Sequence, residues 1–378
     1  MYKPARKRSR CLVLFLPFFL LSYGAPLFAA TYTVPPDTGT INGGNENDIF
    51  NILNGGVVSG NIFGGGGQNV INIFTGGKVT GDIFGGTGTD FNEIFNDGTV
   101  EGDIYGGINP NASDTGGFNT IKNTLSADQL IGSFNLGLES NGGSNHIENL
   151  SSSILNLLTG SLNVANRTFG GNNYIFSNAD GRVFELFGSY NHGDDSHGSN
   201  NTIINYGEVV FLYGSLNEGV RSYGGSNTIK NYGSVFVDLI GSYNFEENSY
   251  GGNNTIINYG LTDYILGSVN EWTGTHGGSN IITNYGSIYE DLIGSYNEGV
   301  NSYGGNNTIA NYGISYGNLG GSVNIGNNSS GGDNLIINYG TIYGGIWGSD
   351  DLGTGSTSTG NTITNYGYVL ESITGGAG

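Results

Sequence analysis

Residues 249–260 read SYGGNNTIINYG, and near copies recur along the chain: residues 223–233 read YGGSNTIKNYG and residues 303–313 read YGGNNTIANYG. The triplet Asn-Tyr-Gly begins at 205, 231, 258, 284, 311, 338 and 365, at spacings of 26 or 27. A Gly-Ser pair begins at 132, 160, 188, 214, 241, 267, 294, 321 and 348, at spacings of 26 to 28. Upstream, the Gly-Gly of NIFGG, DIFGG and DIYGG begins at 64, 85 and 106, spaced 21 apart. Such periods mean a stacked repeat in which each unit buries its apolar face only against its neighbours. The step from 21 residues to 26–28 keeps phase, so the added residues belong to a loop on one side of the unit.

Two apolar columns locate the core. Ile or Leu stands at 62, 83, 104, 130, 158, 186, 212, 239, 265, 292, 319, 346 and 373, and the residue after it varies widely, as an outward position does. Isoleucine stands at 121, 147, 175, 203, 229, 256, 282, 309, 336 and 363, beside variable neighbours such as Lys122, Glu148, Lys230, Thr283 and Ala310. Invariant apolar next to variable polar is the period-2 pattern of strands with one buried face. No sustained helical period follows the first 30 residues. The expected fold is all-β: a single parallel β-helix, or β-solenoid, of about thirteen coils.

Alternation also turns asparagine inward. Two residues before the second isoleucine column lies Asn at all ten positions, Asn119 through Asn361; two residues after it lies Asn at nine of ten, with Ser177 the exception. Identical amides stacked at about the 4.8 Å strand spacing can hydrogen-bond along the column. The glycine pair before the first Asn is read as a left-handed turn that also admits close backbone approach. The repeated phrase therefore reads as scaffold.

The first 30 residues differ in kind. Lys3, Arg6, Lys7, Arg8 and Arg10 precede an apolar run from Cys11 to about Leu21, and Ala29 and Ala30 follow. This is the layout of a secretory signal peptide. The expected organisation is a signal at 1–30, a leader at 31–42 and the solenoid at 43–378, with short coils over 43–107 and long coils over 108–378. Without the signal, six basic residues face 31 acids, a net of −25. A chain so acidic repels phosphate backbones, which excludes nucleic acid as the expected partner. Cys11 is the one cysteine, so no disulfide staples the exported chain.

Several stretches carry candidate chemistry. Residues 85–91, GGTGTDF, fit the start of the calcium-binding nonapeptide GGxGxDxUx, and residues 43–49, GGNENDI, fit less closely. Asp90 and Asp48 are the candidate calcium ligands, against the plain reading of glycine turns, since calcium demands several oxygen ligands. Residues 191–198, NHGDDSHG, place His192, Asp194, Asp195 and His197 in one loop. Imidazole with carboxylate suits zinc or another transition metal, whereas a solvated polar loop is the alternative. Glu218, Glu271 and Glu298 follow the Asn of Gly-Ser-x-Asn and read as a solvated acidic edge. The tyrosines at 206, 232, 259, 285, 312, 339 and 366 read as a cross-strand packing ladder, with a glycan-stacking strip as the alternative. A threonine column suggestive of ice binding is one residue wide and broken by Ile281 and Leu335. Four His and no exported Cys yield no nucleophilic triad, so no enzyme is expected, and no cofactor beyond candidate calcium.

An export signal followed by cysteine-free repeats such as GGNNTIINYG, GGSNTIKNYG and GDIFGGTGTD resembles the Gly/Asn-rich passenger regions of bacterial autotransporter-like surface proteins, over about residues 40–378. The resemblance implies a β-helical passenger displayed on or released from the cell surface and acting in adhesion, with a host or environmental glycan or protein receptor. Those proteins carry a C-terminal outer-membrane barrel, whereas this chain stops at SITGGAG in mid-coil. The barrel is then lost, or an outer-membrane translocator sits on another chain, or a partner covers the last coil. An uncapped coil also exposes strand edges that favour end-to-end self-association. The rival classes are a polysaccharide-active β-helix enzyme and a calcium-stabilised binding module.

Overall fold

A computed structural model describes residues 30–34, 37–89, 91–178, 180–358 and 360–376. Its described residues form strands, turns and loops without helix, stacked as the parallel coils of a β-solenoid. One sheet holds fourteen parallel strands, each paired to its counterpart one coil away. In the quoted phrase, Thr228 pairs with Thr255, Ile229 with Ile256 and Asn231 with Asn258. The next coil repeats the register, with Ile256 on Ile282 and Asn258 on Asn284. The second isoleucine column, the first Ile/Leu column and a third column running through Val209, Val235 and Ile288 merge into one buried core.

The leader expected at 31–42 is instead part of the stack. Thr31–Thr33 pairs with Ile49–Asn51, and Ile41 pairs with Ile62 and is buried. Ile41 lies 21 residues before Ile62, and the Gly-Gly pair at 43–44 lies 21 before the pair at 64–65, so this coil keeps the short period. Of the signal peptide expected at 1–30, residues 1–29 lie outside the described residues.

The added residues of the long coils do two things. They lengthen the strand after the Ile/Leu column through Gly-Ser-x-Asn, as in Gln129–Asn135, and they supply the loop that returns to the asparagine sheet. Each return loop has one left-handed residue at an equivalent place, including Glu139, Arg167, Asp195, Arg221 and Asn248, with φ between 56° and 61° for the outer members of that run, Glu139 and Asn248.

The inward asparagines form hydrogen-bonded ladders. Asn254 donates Nδ2 to Oδ1 of Asn280 at 2.9 Å, to Ser242 Oγ at 3.1 Å and to the Gly252 carbonyl at 2.9 Å. Asn258 donates to Asn284 at 2.9 Å and to the Gly260 carbonyl at 3.1 Å. The Asn of Gly-Ser-x-Asn makes a third ladder, with Asn217 on Asn244 and Asn244 on Asn270, both at 2.7 Å. Every amide points the same way, Nδ2 toward the next coil.

Glycine is demanded where coils touch. A Cβ on Gly241 would stand 2.4 Å from the Gly267 carbonyl oxygen and 2.6 Å from Asn254 Cβ, so the Gly of Gly-Ser makes room for the ladder. In the pair before the ladder, Gly225, Gly278 and Gly305 adopt φ near +70°, as expected of the turn. Gly252 does not; its constraint is steric, a Cβ there lying 2.2 Å from the Gly225 carbonyl oxygen.

Candidate functional site

The outward residues are where function can reside, because the inward polar groups are spent on the ladders. The loop at 191–198 is the most distinctive departure in the sequence, and its four candidate ligands each take a different partner. His192 Nδ1 lies 3.1 Å from Glu218 Oε2. Asp195 takes the Arg221 guanidinium in a two-pronged pair at 2.6 and 2.8 Å. His197 stacks on Phe169 with ring centroids 5.0 Å apart. Asp194 accepts the Val220 amide at 2.9 Å. Among the described residues no group of three or more His, Cys, Asp or Glu converges as a metal cage. The Asp195–Arg221 pair continues a charge-alternating row, since Glu139 and Arg167 pair at 2.9 Å on the preceding loops.

Asp48, the first candidate calcium ligand, is buried and starts the first asparagine ladder. Its Oδ1 accepts the Ala30 amide at 2.8 Å and its Oδ2 the Gly44 amide at 2.7 Å. Its own amide donates to Asn69 Oδ1, and Asn69 in turn donates to Asn92. Both carboxylate oxygens are thereby engaged by backbone. Asp90 lies outside the described residues.

The position after the Ile/Leu column, read as outward, does point away from the core but is not exposed. Ile131, Phe187 and Ile240 are 1 %, 2 % and 2 % exposed. They belong to a second apolar cluster with Leu162, Tyr190 and Leu216, separate from the main core. The cause is backbone shape. Gly241 and Ser242 both face inward against Asn254, and two inward residues in succession bend the strand so that its outer surface is concave. Ile240 and Tyr243, on either side of the bend, are thus brought toward each other.

Acids line this concave face and take the tyrosine hydroxyls. Tyr190 donates to Glu218 at 2.6 Å, Tyr213 to Asp238 at 3.4 Å and Tyr296 to Glu298 at 3.2 Å, and Tyr243 bonds Glu271. Glu218, Glu271 and Glu298 are therefore tied to tyrosines instead of forming a free solvated edge. Burial, and then the charge of Glu218, pushes the Glu185 carboxyl up. Burial also pushes Glu218 up, but hydrogen bonds from His192 and Tyr190 outweigh it and hold that carboxyl below its ordinary value. The same hydrogen bond to Glu218 raises His192. Burial drives the Tyr213 hydroxyl well above its usual range. The sequence held the signal for this strip: large apolar residues at both outward columns, with acids next to them.

The tyrosine column is a continuous stack. From Tyr206 to Tyr366 successive ring centroids lie 4.5 to 5.0 Å apart, with planes within 14° of parallel. Each inner ring has its faces covered by its neighbours and presents its edge and hydroxyl to solvent. Stacking of this kind contributes to cohesion between coils. Beside the stack runs a trough of about 660 Å³, lined by Tyr259 to Tyr339, the glycine after each, and Leu261, Ser287, Ile314 and Thr341. No protein-family model, curated protein or solved structure matches the chain.

Proposed function

We propose that this protein is a secreted or cell-surface β-solenoid rod of the passenger type, with a structural and adhesive interaction role and no catalytic one. The observation that carries the reading is the division of labour between inside and outside. Inward columns are the same in coil after coil and are used up in ladders and core, whereas outward columns, the tyrosine stack apart, change along the rod. Such an object presents a long, rigid side surface, as recognition of a receptor requires. The basic and apolar layout of residues 1–30 supports export, and the absence of Lys and Arg after Lys230 supports a partner other than nucleic acid. The receptor class is a glycan or protein of a host or environmental surface, and delivery is through an outer-membrane translocator. The test is display of the chain on a non-adherent bacterium, with attachment to cultured cells and to a glycan array as readouts. Attachment lost on removing residues 108–378 supports the reading; attachment unchanged by display overturns it.

A second reading is a polysaccharide-active β-helix, in which Glu185, whose carboxyl is raised by burial and then by the charge of Glu218, is the residue to test. Depolymerisation of an acidic or neutral glycan, abolished by Glu185→Gln, would select it over the adhesive one.

A further inference from the structure

The tyrosine stack is not the rod's only aromatic run, and a shorter one ends in the open. The residue before each ladder asparagine is aromatic at Phe91 and Phe118, and Ser144, Asn172, Asn200 and Ser226 follow in register. Phe91 stacks on Phe118 with ring centroids 5.5 Å apart and planes 8° from parallel, so one face of Phe118 is covered. On its other side the next coil offers only the short Ser144 side chain, and Phe118 is 46 % exposed. Two residues along the same strands, His146 lies against Tyr174 with ring centroids 4.8 Å apart, and beyond Tyr174 the next coil has only Thr202. Both open ring faces border one pocket of about 410 Å³, lined also by Ser144, Asn172 and Asn200. Aromatic walls with a few placed polar groups are what small-molecule sites use.

We propose that this pocket binds a neutral hexopyranose unit of a surface glycan, its apolar face on Phe118 and its hydroxyls on the amides of Asn172 and Asn200. A pyranose ring carries C–H groups on its faces and hydroxyls round its rim, and the C–H face packs on an aromatic π face. The amides are already aimed. Asn172 Oδ1 accepts the Asn200 backbone amide at 3.2 Å, and Asn200 Oδ1 accepts the Ser226 amide at 2.9 Å. Each oxygen is thereby turned to the next coil. Each NH₂ group, without a partner among the described residues, is left to donate to a sugar oxygen. No Asp, Glu, Lys or Arg lines the pocket. Glu148 holds His146 Nε2 at 3.2 Å and Lys122 at 3.6 Å, so those two charges offset each other beside it. A hexuronate would therefore meet no free cation here, and the acidic rod repels it at longer range. The long tyrosine stack lacks this chemistry, because its inner rings are covered on both faces. Phe118 and Tyr174 stand two coils apart, about 9.6 Å at the strand spacing, a distance that neighbouring units of one glycan chain cover.

This names a receptor class for the adhesive reading and rests on that reading for its biological role. The test is ligand-observed NMR and calorimetry on the purified protein, with methyl glycosides of glucose, galactose, mannose and N-acetylglucosamine, and with methyl glucuronoside. Binding of at least one neutral glycoside is expected, and none of the glucuronoside. Phe118→Ala should weaken binding about tenfold, whereas Phe118→Tyr keeps the ring face and should keep the affinity. Ser144→Phe should abolish binding, because the added ring extends the Phe91–Phe118 stack over the open face, and the melting midpoint should hold or rise. Ser279→Phe, far along the same column, should leave binding unchanged. Should Ser144→Phe fail to fold, Phe118→Ala, at an exposed position, carries the test. No binding of any neutral glycoside, a glucuronoside bound as well as they are, or binding untouched by Phe118→Ala and Ser144→Phe would each overturn the proposal. A displayed chain that binds the glycoside but attaches to no cell refutes the adhesive role alone. One whose attachment survives both variants refutes this pocket alone as the place of attachment.

Discussion

The side-chain Nδ2 of Asn149 and the hydroxyl of Ser177 lie one coil apart in the second asparagine ladder, both buried and both without a hydrogen-bond partner. Elsewhere in that ladder each amide finds the carbonyl of the next asparagine, as Asn123 finds Asn149 at 3.1 Å. Serine is too short to reach, so the ladder is interrupted at a single rung. Ser177→Asn should restore it and raise stability by about 1–2 kcal/mol, the cost of leaving a buried donor unmet. Thermal melts of the two proteins check this; an equal or lower midpoint for the variant would show that the site cannot hold the amide.

Removing a rung should do the opposite and do it locally. Asn254 both donates to Asn280 and accepts from Asn227 at 2.9 Å, so Asn254→Ala strands a donor on one side and an acceptor on the other. A loss of about 3 kcal/mol is expected. Because each coil contacts only its neighbours, hydrogen exchange should accelerate in the flanking coils and leave distant ones protected. Uniform acceleration along the rod would refute the nearest-neighbour description.

Stability should rise on mild acidification. Burial pushes the Asp103 carboxyl up to about 6, against a hydrogen bond from Tyr105 that pulls it down, with the charges of Asp82 and Asp128 adding to the rise. A group whose folded pKa is raised contributes stability below its unfolded value and loses it as pH climbs through the folded value. The window for Asp103 therefore runs from its ordinary value of 3.8 to about 6, and the group contributes about 2 kcal/mol more at the lower end. The melting temperature should increase from pH 7 to pH 5, and Asp103→Asn should flatten that slope. A slope unchanged in the variant would place its origin elsewhere.

Asp48 should matter through its backbone partners and not through an ion. Both its oxygens accept amides, so Asp48→Asn sets an NH₂ against an N–H and should cost about 1–2 kcal/mol. The melt of the unaltered protein is expected to be the same with chelator as with added calcium. A midpoint that rises with calcium and falls with Asp48→Asn together would instead establish a calcium site there.

What the amino-acid sequence determined by itself is the inside of the rod. Side chains alternate across a strand, so a residue constant every 26 or 27 positions and flanked by variable ones must face the core, and that logic placed Ile256, Asn254 and Asn258 without reference to any distant contact. The same logic located the defect at Ser177. The third ladder, Asn217 to Asn244 to Asn270, was equally periodic but followed a Gly-Ser pair that interrupts alternation, so its inward direction was not readable from spacing.

Only the tertiary structure decided the outside. Alternation tells which side of a strand a residue occupies, not whether that side curves toward or away from solvent. Phe187 and Ile240 are outward yet buried because two successive inward residues bend the strand, and the bend depends on Gly241 meeting Asn254 across the coil. The fates of His192, Asp195 and His197 depended likewise on Glu218, Arg221 and Phe169, which lie 26 to 28 residues away in sequence and one coil away in space. Local periodicity builds a coil, but neighbours from adjacent coils assign its surface.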